Sequence, residues 1–459
     1  MHRVLAVASN TVKQILRMRI AVVFAVLLVV LLPVMAYSAS GDGTVKGRLQ
    51  TFLSYGLSLV GLLLSLLTIL AVSHSATSDV VQRQVYTVLT KPIRRHEFLF
   101  GKFLGVLYVD VCLLVGLSAI VYGITVYAPR FLGATEEDQV QLTNEFFTAR
   151  KGLKPKEVDV SQEVEQDYQK LVQNRELDQF FEGVPKPVII ARLTQQKKLE
   201  KRAAASGEDL TWEFSDVHLA DPNGSLFVRF KFDVSVTPPD SQVFTRWMVG
   251  DLRQLKTGAQ VTTPIYRTPT PRKDPIRTPR EFEVPASVLA KDGYLAVGIF
   301  NESLNNTVII FPIEDGFQVL YKADGFRANF LRALALIFMK LIFLAALGIF
   351  ASSFLSFPVA VLLCLVVFLT GTVSAFVLES FSYMGGQLSL FYEYTLKLLV
   401  QVLPQFDRIN PTDFLVAGRL IPWSLLAWSG VVMVGIKAIL LLAVGLWIFR
   451  SREIARTTV

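Results

Sequence analysis

Three ionisable residues stand inside otherwise charge-free apolar runs: Asp110, Lys340 and Lys437. At such depth an ionisable side chain faces a bundle interior, pairs with another charge, reaches back to the interface, or touches whatever the protein moves. At 1.5 Å per helical residue, Asp110 lies about 12 Å along from Lys102 and Lys437 about 20 Å from Arg450, so pairing of Asp110 with either intramembrane lysine is geometrically open. The alternative is contact with a substrate. Other local chemistry is missing. His2, His74, His96 and His218 have no ligand spacing, and neither CxxC nor HExxH occurs, so no metal site is expected. Gly101-Lys102 is followed by Phe103 and belongs to no GxxxxGK[ST] phosphate loop, so the chain is not expected to hydrolyse ATP. There is no GxSxG elbow for a serine nucleophile. Cys112 and Cys364 fall in apolar runs and read as small core hydrophobes, not a disulfide.

The elements that would hold these charges are membrane spans. The 459 residues are 52% hydrophobic and only 18% charged, with mean hydropathy +0.45, which excludes a disordered or fibrous chain and concentrates apolarity in long runs. Six runs have crossing length: 20–38, 52–72, 103–127, 333–354, 358–378 and 423–449. The first ends in Ala36-Tyr37-Ser38, which resembles a cleavage site, but it exceeds a signal-peptide core and reads as an uncleaved span. The formal charge of +8 fits a membrane surface, not nucleic acid. Segments 1–19, 73–102 and 450–459 hold 12 lysines and arginines, against 5 in 39–51 and 379–422. The positive-inside bias therefore predicts cytoplasmic termini and places the polar stretch 128–327 outside the cytoplasm. Residues 388–403 are apolar but interrupted by Glu393 and Lys397, and Pro404 follows; a re-entrant or interfacial helix is expected there.

Before the first span, Val4, Leu5, Ala8, Val12, Ile15 and Leu16 recur at helical spacing beside Arg3, Lys13, Arg17 and Arg19. This is an amphipathic helix on the inner leaflet or a basic flank of the span. Within 128–327, a helical stripe at 156–181 predicts a helical part over about 135–205. Alternation from Leu226 to Val236 marks a strand, and further strands are expected near 212–218, 243–249, 260–267, 281–284, 294–300, 307–311 and 317–321. About eight short strands over 210–322 imply a β-sandwich, whose ligand the scaffold does not determine. Residues 268–279, rich in proline and basic residues, read as an exposed loop.

The loop 73–102 is the most informative stretch. Residues 78–89 have a helical pattern, Pro92 interrupts it and disfavours helix at Lys91, and Arg94, Arg95, Glu97, Gly101 and Lys102 follow. A short helix stopped by a proline and tied to the next span is a lever that another protein can push; the bland reading is a basic loop that only sets topology. The run LTKPIRRHEFLFGKFLG from Leu89 to Gly105 resembles the segment after the coupling helix in permease subunits of type 2 ATP-binding-cassette (ABC) transporters, and the basic start ending in Arg17-Met18-Arg19 agrees with it. One departure is that Gln82 and Gln84 stand where many members have a glutamate and a glycine, Asp79 being the only acid nearby.

The resemblance covers the spans and their cytoplasmic loop, a little over half the chain. It implies a permease, paired with a second copy or a second permease and docked on a cytoplasmic ATPase that carries the ATP and Mg, with Asp79, Arg83, Leu89, Pro92, Arg94, Arg95, Glu97, Gly101 and Lys102 at or near the coupling contact. The expected fold is a membrane α-helical bundle of about six spans with an inserted extracytoplasmic α+β domain containing a β-sandwich. Residues 1–127 supply the amphipathic helix and three spans, 128–327 the outer domain and 328–459 the last three spans. Expected partners are that ATPase, membrane lipid and a protein or glycan ligand outside, with no cofactor on this chain. The inner membrane of a bacterium is the expected location. The rival function is a membrane-anchored sensor or scaffold with an outer binding domain.

Overall fold

The computed structural model describes residues 2–41, 43–81, 94–174, 186–217, 219, 224–257, 263–313, 315–374, 376–377 and 403–451, with backbone alone at 21 and 79–81. The chain divides into two compact units, one made of Met1–Ala149 with Gly325–Val459, the other of Arg150–Asp324.

The first unit is helical. Its elements are α1 (His2–Arg17), α2 (Arg19–Ser38), α3 (Val45–Val81), α4 (Arg95–Phe131), α5 (Phe326–Ser352), α6 (Phe357–Thr372), the short α7 (Pro411–Val416) and α8 (Trp423–Ser451). Among the described residues, α3, α4, α5 and α8 are long and apolar enough to cross a membrane, and a fifth span exists if α1 and α2, which meet at a sharp bend, count as one. This is consistent with a membrane protein. Among the described residues the run expected at 358–378 contains the 16-residue α6, roughly 24 Å of helix against a hydrocarbon core of about 30 Å. Residues 388–402 lie outside the described residues.

Helix ends also differ from expectation. The polar residues Ser73, His74, Ser75, Thr77 and Ser78 do not form a loop; α3 runs through them, and Thr77 and Ser65 satisfy their hydroxyls on the carbonyls four residues back. Likewise Arg95–Lys102 are the first turns of α4, started by the Glu97 carboxylate accepting the Arg94 amide at 2.8 Å. Over Gly430–Ala438, α8 widens into a π-helical stretch.

The bundle core comprises α2, α3, α4 and α5 side chains such as Leu32, Leu53, Leu57, Leu117 and Leu341. By contrast, α8 has only 17% of its most apolar window buried within the chain, so it presents most of that surface outward.

The second unit is built on antiparallel sheets. One has strands Thr148–Leu153, Phe317–Gly325, Ser225–Phe230 and Arg280–Pro285 in that spatial order. Another has Asp209–Phe214, Leu295–Asn301 and Gln242–Gly250, the last pairing with Tyr266–Arg267 and Arg272–Pro275. Inward side chains of both enter one buried cluster around Trp247, whose ring centroid lies 4.7 Å from Phe230 and 5.5 Å from Phe282. The buried indole N–H is satisfied by Thr245 Oγ1 at 3.0 Å. Helices Ser161–Gln173 and Lys186–Glu200 complete the unit as described.

Two strand expectations are corrected. The alternation at 226–236 is not one strand: pairing stops at Phe230, and Asp233–Val234 joins a separate small sheet with Ile309–Ile310. Within 268–279, Arg272–Pro275 is a strand and Asp274 is buried, because the neighbouring Arg272 guanidinium bonds both of its carboxylate oxygens. Prolines and charges at 268–279 therefore conceal a paired segment.

Candidate functional site

The start of α4 is where the sequence motif and the packing coincide. Helix α1 lies across it, with Ile15 buried alongside Phe98, Leu99, Phe103 and Val106. Two glycines make the close approach: a Cβ on Gly101 would stand 2.6 Å from Val7 Cβ and 2.9 Å from the Val4 carbonyl, and one on Gly105 would stand 2.7 Å from the Ala8 carbonyl. Gly101-x-x-x-Gly105 is thus a groove that admits the backbone of α1. The four-residue spacing of small residues is the signal that could have revealed this groove from sequence.

Between these glycines Lys102 turns inward. It is 1% exposed, and its ammonium donates to the Ser75 carbonyl at 2.5 Å, to Ser75 Oγ at 2.9 Å and to Gln14 Oε1 at 3.3 Å, with the Phe98 ring 5.4 Å away. Gln14 in turn accepts from Ser75 Oγ and donates to Ser78 Oγ at 2.8 Å. One buried cation therefore ties α1, α3 and α4 together through Gln14 and Ser75. Gln14 and Ser75, central to this node, carried no sequence signal of their own.

The last span joins the same place. Arg95 Nη1 donates to the carbonyls of Phe449 and Arg450 at 3.1 and 2.8 Å, which caps the end of α8, and Phe98 stacks on Phe449 at 6.3 Å. Glu97 also faces Arg3 of α1 at 4.0 Å. Of the other coupling residues, Arg94 is exposed at the N-cap and Asp79 lies in the last turn of α3; Arg83, Leu89 and Pro92 lie outside the described residues. Gly101 and Lys102 are covered by α1, so any partner would reach them only through that helix.

The charges of the apolar runs do not form the expected pair. Asp110 is buried, accepts from Thr68 Oγ1 at 3.0 Å, and leaves Oδ2 without a hydrogen bond; no ion pair joins it to Lys340 or Lys437. Each lysine instead meets local groups: Lys437 donates to the Leu403 carbonyl at 3.0 Å, while Lys340 lies 4.8 Å from the Phe368 ring centroid and 5.5 Å from that of Phe406. Their helices present these side chains to different neighbours, which a distance along one helix axis could not reveal. Lys340 also lines a cavity of about 400 Å³ within the helical unit.

Among the described residues no group of three or more histidine, cysteine or acidic side chains has a metal-binding arrangement. No protein-family model, curated protein or solved structure matches the chain.

Proposed function

We propose that this chain is the membrane-spanning permease of a type 2 ABC transporter, acting as an exporter component with a separate cytoplasmic ATPase that supplies ATP and Mg. In this reading it works in a pair, its termini are cytoplasmic, and residues 150–324 form a unit outside the cytoplasm that receives a protein or glycan.

The observation that supports the reading is the node at the start of α4. Segment 82–93 connects α3 to α4, and immediately past it Lys102 binds α3 and α1 while Arg95 binds the end of α8. A force applied to 82–93 would enter four helices at once. That is the mechanical requirement for converting an ATPase cycle into motion of spans, whereas a loop that only sets topology needs no such tie.

Arg94 is the test residue because its side chain is exposed, whereas Arg95 is committed to capping α8. Arg94→Glu should weaken co-purification of the cognate ATPase while leaving the melting temperature of the permease unchanged, since rim charges act mainly on association. Pro92→Ala should keep the ATPase bound but lower transport per ATP hydrolysed. A full-length chain that co-purifies with no ATPase, or an Arg94→Glu complex that assembles and works normally, would count against this contact and favour the sensor reading.

A further inference from the structure

The cavity beside Lys340 has a composition that the permease reading does not require. Its walls come from α3, α5, α6, the stretch around α7, and α8. At about 400 Å³ it falls in the range of small-molecule sites. Most of the wall is apolar, with Leu57, Leu336 and Met433 among its residues.

The charges on that wall are unequally satisfied. Asp413 accepts from the Asn410 amide group at 3.2 Å, and Asp407 accepts from Ser374 Oγ at 2.7 Å and from the Arg408 backbone amide at 2.9 Å. Lys340 has only the faces of Phe368 and Phe406 among the described residues. Ring faces stabilise a cation but accept none of its N–H bonds in full, so an ammonium held there keeps strong donors for whatever enters the cavity. Ser429, 1% exposed and on the same wall, has an Oγ without a hydrogen-bond partner. Donors left open inside an apolar chamber are costly unless a ligand completes them.

We infer that this cavity binds the anionic group of a small amphiphile, a carboxylate or phosphate on an apolar tail, with Lys340 and Ser429 as its polar contacts. The same anion could arrive as a lipid head group or as a free ion. The inference does not depend on an ATPase and survives or fails independently of the transporter reading.

Purified full-length protein in an uncharged detergent should be titrated with dodecyl phosphate, with an uncharged dodecyl ether and with inorganic phosphate, and complexes counted by native mass spectrometry. Dodecyl phosphate should bind at least roughly 10-fold more tightly than the uncharged ether, the worth of a hydrogen bond to a charged group. Lys340→Met should abolish that preference and Lys340→Arg should retain it. Gly61 gives a second handle: it lines the cavity, and a Cβ there meets nothing within 4 Å, so Gly61→Leu takes up part of the chamber while the lysine itself is retained. Competition by inorganic phosphate would identify a free-anion site; its failure to compete would identify an amphiphile head-group site. Equal binding of charged and uncharged amphiphiles by the native chain overturns the inference. So does unchanged preference in folded Lys340→Met, or in Gly61→Leu where Lys340→Met does not fold.

Discussion

Alanine at Gly101 and Gly105 should undo the seating of α1, and the size of the effect follows from the clearances. A Cβ at either position stands 2.6–2.7 Å from its nearest neighbour, whereas ordinary contact is 3.4–4 Å, so the two helices must part locally by close to an ångström. Overpacking of this kind costs about 1–3 kcal/mol, and a gap of 0.5–1 Å forfeits a quarter to a half of each affected dispersion contact. Removing a helical glycine returns up to about 1 kcal/mol through propensity. Each single variant should therefore lose up to about 2 kcal/mol, and the double variant no more than the sum of the two, because helices parted at one site already relieve strain at the other. The same helix contains its own controls. A Cβ on Gly116 or Gly123 meets nothing within 4 Å, so alanine there should be neutral or stabilise by up to about 1 kcal/mol. Hydrogen exchange over residues 2–17, read beside thermal unfolding in detergent, separates the two classes: the first pair should expose α1, and the second should leave it protected. Equal shifts in all four variants, or unchanged exchange over 2–17 in the Gly101 and Gly105 variants, would refute the groove.

Lys102→Met removes the cation that bonds the Ser75 carbonyl and hydroxyl and the Gln14 amide oxygen. It should lower stability by about 1–3 kcal/mol, the cost of orphaning buried acceptors less the relief of an uncharged side chain, and exchange over 2–17 should rise with it. In the second unit, the Arg253 guanidinium beside Asp251 and Asp292 holds both carboxyls below the usual range. Depressed carboxyl values mean that their contribution is present above the unfolded value of about 4 and is lost as pH falls through the folded values. Protection from exchange over 250–257 and 290–295, taken relative to the intrinsic amide rate at each pH, should therefore fall from pH 5 towards pH 2 in the native chain, and Arg253→Met should flatten that acid dependence. The opposite slope would reverse the assignment.

The long apolar helices were legible because length and hydropathy alone specify them, and the amphipathic start was legible because Ile15 and Val12 share a stripe that is in fact the packed face. Helix ends were less so. Ser73 to Ser78 looked like loop because their polarity is a one-dimensional signal, whereas inside a bundle hydroxyls bond back to their own helix and Ser75 faces a lysine. Lys102 read as one charge in a basic cluster. Its burial depends on Gln14 and Ser75, which are 88 and 27 residues away in the chain, and no local period encodes that meeting. In the second unit, period-two alternation found the strand at Ser225–Phe230 but could not show that Asp233–Val234 passes to another sheet. Asp110 and the two lysines were individually conspicuous, yet the chain supplies hydroxyls, carbonyls and ring faces where an ion pair was expected.

The contact between Arg95 and the end of α8 also sets an order of events in the life of the molecule. Its two carbonyl partners are 354 and 355 residues further along, so at synthesis rates of roughly 5–20 residues per second the arginine is made about 20–70 s before they exist. Until then Arg95 lacks these two carbonyls and Phe98 lacks the ring of Phe449. Closure of this clasp thus reports that the last helix has arrived, and a nascent chain halted before Phe449 would leave it open.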